Sequence, residues 1–327
     1  MKKKILWVAG IFWMAIVLIL LLNASRWAPL PDGRVKMIAH RGVHHQFDRR
    51  DLGRDDCTAT RMLAGQEERK VFENTIHSIR SAVGAKADMV EIDVSPTKDG
   101  KMVLFHDWTV DCRTDGKGKT RNHTLAELKT FDIGYGYSAD GGKTYPLRGE
   151  GIGKIPTVEE ALGAETFKPY MFNFKSEDAA EADQLAAILK AEGRDVLAMG
   201  DGFYGAEAPV QRIRELIPGA WAWTKAEAKT CTSHYIKSGW FGILPDSCKR
   251  RTMVVPLNYQ WLIAGWPDRT IARMRQAGGH IIVTGPYKDD QPNIGLTHGA
   301  QLADIPSSYT GWIWVDDIAK VGPALIR

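Results

Sequence analysis

Short apolar runs rich in β-branched and aromatic residues recur along the chain at 35–39, 88–94, 102–105, 170–174, 195–199, 219–223, 252–256, 280–284 and 311–315. Their length and composition read as buried strands. Helical periodicity fills many of the gaps. Thr157-Val158-Glu159-Glu160 is a capping box, Ala179 to Glu192 stops at Gly193, and Arg269 to Ala277 stops at Gly278-Gly279. Such alternation predicts parallel strands joined by helical crossovers.

Nine runs are one too many for an eight-stranded barrel. Runs 88–94 and 102–105 are joined by Thr97-Lys98-Asp99-Gly100-Lys101, too short for a parallel crossover but suited to a hairpin turning at Asp99-Gly100. With Lys98 opposite Lys101, Asp93 falls opposite His106, with Cβ atoms about 5 Å apart. Removing the hairpin arm leaves an α/β chain with the strands of a TIM (β/α)8 barrel, whose active sites gather at the C-terminal strand ends. A polar loop between Gly42 and Glu73 and a Gly-rich insertion at about 108–155 then rise over that face as candidate lids.

The start of the chain adds another element. Lys2-Lys3-Lys4 precedes an apolar run from Ile5 to Leu22, which as a helix rises roughly 27 Å and is expected to cross a bilayer. Residues 1–27 are therefore expected to form a transmembrane anchor ahead of a barrel at 28–327. The lysines keep the N-terminus cytoplasmic, so the expected location is the inner membrane, single-pass, with the barrel on the periplasmic or extracytoplasmic side. Cleavage of the segment as a signal peptide is the alternative.

Composition changes this picture little. With 44% hydrophobic and 25% charged residues the chain is ordinary and globular, and a formal net charge of +4 without basic-aromatic tracts argues against a nucleic-acid partner. Four cysteines, none in a C-x-x-C pair, make zinc an improbable occupant; in an oxidising compartment they allow two disulfides. Pairing Cys57 with Cys112 and Cys231 with Cys248 is the expectation, because the first two lie in polar loops near motifs and the others flank one short segment.

The candidate chemistry lies in four polar clusters that end or interrupt apolar runs: His40-Arg41-Gly42, Glu73-Asn74-Thr75, Glu91-Ile92-Asp93 and His106-Asp107. Glu91 and Asp93, two apart on a strand, point to one face and suit a hard divalent cation. His40 and His106 can serve as an acid/base pair near neutral pH. Arg41 offers a planar fork of donors to a phosphate.

Together with Thr97-Lys98-Asp99-Gly100, these clusters resemble, in order and spacing, the glycerophosphodiester phosphodiesterase family. The resemblance is close from Met37 to Asp107 and looser through Trp312-Ile313-Trp314-Val315-Asp316. It implies a TIM barrel with an insertion after the His106-Asp107 strand, hydrolysing a glycerophosphodiester to glycerol 3-phosphate and an alcohol. The implied roles are His40 and His106 as acid/base pair, Arg41 at the phosphate, Glu91 and Asp93 on one Mg2+ or Ca2+, and Glu73 in or beside that shell. Where the family usually has Asn-x-Glu-x-Lys, this chain has Met171-Phe172-Asn173-Phe174-Lys175. Asn173 therefore stands at a ligand position with one negative charge less, while Lys175 matches the family's lysine and is expected at the phosphoryl oxygens. Trp314, with Trp312 and Phe174, is a candidate apolar wall for the glycerol carbons. Two other readings are a lysophospholipase D-like or phospholipase C-like enzyme acting on membrane lipids, and a phosphate- or metal-binding envelope protein without turnover.

Overall fold

The computed structural model describes residues 2–49, 57–289 and 294–326. Eight parallel strands surround a central axis: β1 (Lys36–Ala39), β2 (Met89–Pro96), β4 (Tyr170–Phe174), β5 (Gly202–Gly205), β6 (Trp221–Thr224), β7 (Thr252–Pro256), β8 (His280–Thr284) and β9 (Trp312–Val315), while β3 (Met102–Leu104) pairs antiparallel with β2. The ladder runs β6-β5-β4-β2-β1-β9-β8-β7. Side chains cover the seam between its two ends: Trp221 Nε1 donates to Thr252 Oγ1 (2.8 Å), and Thr232 Oγ1 donates to the Val254 carbonyl (2.9 Å).

Strand alternation divides the core. Inward positions Ile38, Met89, Met171, Tyr204, Trp223, Ile282 and Trp314 fill the barrel, whereas Met37, Val90, Ile92, Phe172 and Phe203 face the surrounding helices. The TIM barrel expected from the strand pattern is therefore present. The insertion at 108–155 has a small core of its own, in which Val110, Leu128, Ile133, Tyr137 and Leu147 pack with Met62, Phe72 and Phe105. Cys57–Cys112 ties this insertion to the loop after β1, and Cys231–Cys248 closes a short segment before β7.

Three expectations are corrected. The run 195–199 is not a strand: Asp195 Oδ1 accepts from Leu197 N (3.1 Å) and Ala198 N (3.0 Å), capping a single helical turn at Val196–Met199, and the strand follows at Gly202–Gly205. The hairpin is out of register by one residue. Val94 pairs with Leu104, and Phe105 N donates to the Asp93 carbonyl, so Phe105 rather than His106 stands opposite Asp93. The cause is a three-residue turn with Gly100 at φ +73°, in which Thr97 Oγ1 accepts from Lys101 N.

The third correction concerns the N-terminus. No helix among the described residues is long and apolar enough to cross a membrane, so residues 1–27 do not form the expected transmembrane anchor. The helix Lys2–Leu22 spends its first turn on three lysines, which a hydrocarbon core excludes, so its apolar part is shorter than the helix itself. Its end docks on the barrel instead. Asn23 Nδ2 donates to the Trp240 carbonyl (3.1 Å), Arg273 donates to Asn23 Oδ1, and Ser25 Oγ donates to Asp268 Oδ2 (3.0 Å).

Candidate active site

The four polar clusters meet at the C-terminal ends of β1, β2 and β4. Two left-handed residues shape the meeting point: Arg41 and Asn74 both have φ 56°, a costly conformation for side chains of this kind. The turn at Arg41 lets its backbone N–H donate to Glu91 Oε2 (2.8 Å) while its carbonyl accepts from Asn74 N (3.1 Å). Asn74 then brackets Asp93, donating through Nδ2 to Asp93 Oδ2 (2.8 Å) and accepting from Asp93 N at Oδ1 (2.9 Å). Thr75 caps the helix Ile76–Gly84 by accepting from Ser78 N (3.1 Å), which anchors the Glu73-Asn74-Thr75 turn.

Each predicted histidine is paired through Nδ1 with a carboxylate. His40 Nδ1 lies 2.7 Å from Asp316 Oδ1, and His106 Nδ1 lies 2.7 Å from Asp107 Oδ1. An arginine holds each acid in turn: Arg49 reaches Asp316 Oδ2 at 2.8 Å, and Arg113 Nε donates to Asp107 Oδ2 at 2.6 Å. A carboxylate on Nδ1 selects the tautomer that leaves Nε2 available for proton transfer. Burial lowers the pKa of His40 against the opposing pull of Asp316, and burial together with Arg41 and Lys175 lowers that of His106 well below the ordinary imidazole value.

Glu91 and Asp93 are fully buried, and their surroundings push their pKa values in opposite directions. Burial and then the neighbouring Asp93 push the Glu91 carboxyl well above its usual range, and Tyr204 Oη donates to Glu91 Oε1 (2.6 Å). Burial alone would raise Asp93 too, but Lys175, His106 and Arg41 outweigh it and hold Asp93 low. Lys175 Nζ is 3.6 Å and Arg41 Nε 3.5 Å from Asp93.

Asn173 neighbours Asp93 in register and donates Nδ2 to Asp93 Oδ1 at 2.7 Å. Glu91, Asp93 and the Asn173 amide oxygen are hard oxygen donors, the kind a hard divalent cation takes, while the amide here turns its nitrogen to Asp93. Glu73 does not join them: Arg41 Nη1 (3.0 Å) and Arg113 Nη2 (3.1 Å) take it up and, against the effect of burial, keep its carboxyl low. A second group of mixed donors, His40, His44 and Asp316, has ligand atoms within 4.8 Å of one another and could also hold a metal ion.

The aromatic wall is only partly in place. Trp314 is buried in the barrel, its ring 5.2 Å from His40 and 5.4 Å from Tyr204, so it floors the site beneath the histidine. Trp312 begins β9 at the opposite end of the barrel and lies 5.5 Å from Trp221, while Phe174 turns outward against Phe203. Strand parity explains both: Phe174 has the parity opposite to Asn173 and Lys175, and Trp312 lies a layer below Trp314.

Sequence reasoning assigned no role to Asn74, Arg113, Tyr204 or Asp316. Tyr204 was hidden because its strand was expected at 195–199. Asp316 follows β9, and the pattern places it at a strand end without indicating that His40 is its neighbour.

The glycerophosphoryl diester phosphodiesterase family model matches residues 40–204, from the first histidine to the tyrosine on Glu91. The chain belongs to that family. A glycerophosphodiester phosphodiesterase of Bacillus subtilis is 40% identical over 96 residues, 28% of this chain and 31% of the relative. The mouse glycerophosphodiester phosphodiesterase 1 is 32% identical over 133 residues, 40% of this chain and 30% of the relative. The matched stretches thus span about a third of these curated relatives. Among solved structures, the family domain of a Mycobacterium tuberculosis protein superposes with a TM-score of 0.58 at 19% identity, covering 89% of this chain and 99% of that one. An Oleispira antarctica phosphodiesterase in complex with sn-glycerol 3-phosphate gives 0.55 at 16% identity, covering 91% and 97%. At such identity these two likenesses speak for the fold.

Proposed function

We propose that the protein is a phosphoric diester hydrolase that cleaves glycerophosphodiesters to glycerol 3-phosphate and an alcohol. The observation that carries this reading is the pair of His–Asp dyads, His40–Asp316 and His106–Asp107, gathered with Arg41, Asp93 and Lys175 at the same strand ends. One imidazole accepts the proton of the attacking hydroxyl, and the other, its protonated form favoured by the anionic diester beside it, donates to the leaving oxygen. Family membership favours the neighbouring glycerol hydroxyl as the first nucleophile, through a cyclic phosphate that water then opens. Arg41 and Lys175 take up the charge that develops on the phosphoryl oxygens. Trp314 supports the His40 ring from below.

A divalent cation, Mg2+ or Ca2+, would be held by Glu91, Asp93 and the Asn173 carbonyl and would supply Lewis-acid polarisation of a phosphoryl oxygen. With one carboxylate fewer than the family's usual set, its affinity is expected to be weak. Two disulfides further favour an oxidising, extracytoplasmic compartment.

The test is release of glycerol 3-phosphate from glycerophosphocholine by the purified chain. His106→Ala is expected to lower kcat by about 10² to 10⁴-fold, and a chelator to suppress release until Mg2+ or Ca2+ is restored. No release with either cation, or full release by His106→Ala, would sink the hydrolase reading.

A further inference from the structure

The barrel register places a second lysine beside the site. Asp93, Asn173, Tyr204 and Trp223 are successive partners across β2, β4, β5 and β6, and form one layer of the interior. Two residues beyond Asn173 stands Lys175, just past the end of β4, and two beyond Trp223 stands Lys225, the first residue of the helix Lys225–Ser238 that follows β6, so both are anchored at the C-terminal strand ends that form the mouth. The strand between them, β5, ends at Gly205, and Ala206 after it carries only a small side chain.

The two ammonium groups differ in what already balances them. Lys175 is 3.6 Å from Asp93. Arg41 serves Glu73 and Asp93, Arg113 serves Asp107 and Glu73, and Arg121 serves Glu181 at 2.9 Å. Lys225 makes no ion pair within 4.0 Å among the described residues, and the residue is exposed. The protein around it, and then Lys175 and Arg41, lower its pKa, which puts it in the field of the same site.

A simple glycerophosphodiester carries one negative charge, and Arg41 and Lys175 already address the phosphoryl group over Asp93. Strands in a sheet are about 4.8 Å apart, so Lys225, two strands from Lys175, is anchored roughly 10 Å away. That spacing suits a group one unit beyond the phosphoryl centre, and the unbalanced charge calls for an anion. Because the glycerol arm has no second charge, the anion must sit on the leaving alcohol.

Resting on the hydrolase reading, we propose that Lys225 is a specificity-determining residue that receives a second negative charge carried by the leaving alcohol, so that the preferred substrates are glycerophosphodiesters with anionic rather than cationic leaving groups.

The experiment compares 1,3-bis(glycerophospho)glycerol, whose leaving alcohol carries a second phosphodiester, with glycerophosphocholine. The unmodified chain is expected to favour the first in kcat/KM by about tenfold, the worth of one charge-assisted contact. Lys225→Met should bring the ratio close to one, Lys225→Glu should invert it, and Lys225→Arg should restore it. A ratio at or below one in the unmodified chain, or one unaffected by Lys225→Met, overturns the proposal. Calorimetric binding of both diesters to His106→Ala separates this from the hydrolase reading. Tighter binding of the dianion, lost on adding Lys225→Met, supports the clamp even if neither diester is turned over, and equal binding of the two counts against it.

Discussion

At the scale of single residues, the site depends on buried groups whose charge is set by their neighbours. His44 and His45 show the cost. Burial, reinforced by His40, lowers His44 to about 3, and burial lowers His45 to about 4 against the hydrogen bond between its Nε2 and the Arg69 carbonyl. In the unfolded chain both titrate near 6.5. As pH falls below about 6.5 the unfolded state therefore takes up protons that the folded state refuses, and stability drops until the folded values are reached. The melting temperature is expected to fall steadily from pH 6.5 to pH 4, and His45→Gln should fall less steeply. A melting temperature flat across that window, or an identical slope in the variant, contradicts this account. The motif residues His40, Arg41, Glu91, Asp93 and His106 were legible because acids, imidazoles and a guanidinium at the ends of apolar runs are costly unless used. Their partners were not, since Asp316 lies 276 positions from His40 and Tyr204 lies 113 from Glu91.

At the scale of elements, turn and cap chemistry decided where prediction held. Thr157 accepts from Glu160 N as its capping box implies, and β4, β7 and β8 begin and end where their apolar runs do. The failures were also local. Asp195 turned an apolar run into a helix by capping it, and one extra turn residue moved the β2–β3 register by one. The lid elements depend on a crosslink: Cys57–Cys112 spans 55 residues and joins the loop after β1 to the insertion, with Arg113 beside Cys112 reaching both Asp107 and Glu73. Closing a loop of this size stabilises by about 2–4 kcal/mol. The Cys57→Ser, Cys112→Ser double variant is expected to lower stability by that amount in denaturant titration and to lower kcat by loosening the Arg113–Asp107–His106 relay. The corresponding Cys231/Cys248 variant should lose stability without a comparable loss of kcat. Equal effects of the two variants on kcat would contradict a special role for the first bridge.

For the whole molecule, the docked N-terminal segment changes what the first residues do. Asn23 and Ser25 hydrogen-bond with Trp240, Arg273 and Asp268, at about 1 kcal/mol for a typical contact. A chain beginning at residue 28 is expected to melt a few degrees lower in calorimetry while hydrolysing glycerophosphocholine with unchanged kcat; an unchanged melting temperature would show that these contacts contribute nothing. The alternation of strand and helix, the hairpin after β2 and the motif residues could be read from the chain alone, because they follow from local periodicity, spacing and residue chemistry, whereas four cysteines allow three pairings and the fold selects Cys57–Cys112 and Cys231–Cys248. Only the folded barrel decided the two His–Asp–Arg relays, the Asn173 amide on Asp93, the outward turn of Phe174 and the placing of Lys225 at the strand-end face of the barrel. Those depend on register around a closing sheet, where a shift of one residue exchanges interior for exterior and no local pattern records which distant strand end arrives beside which.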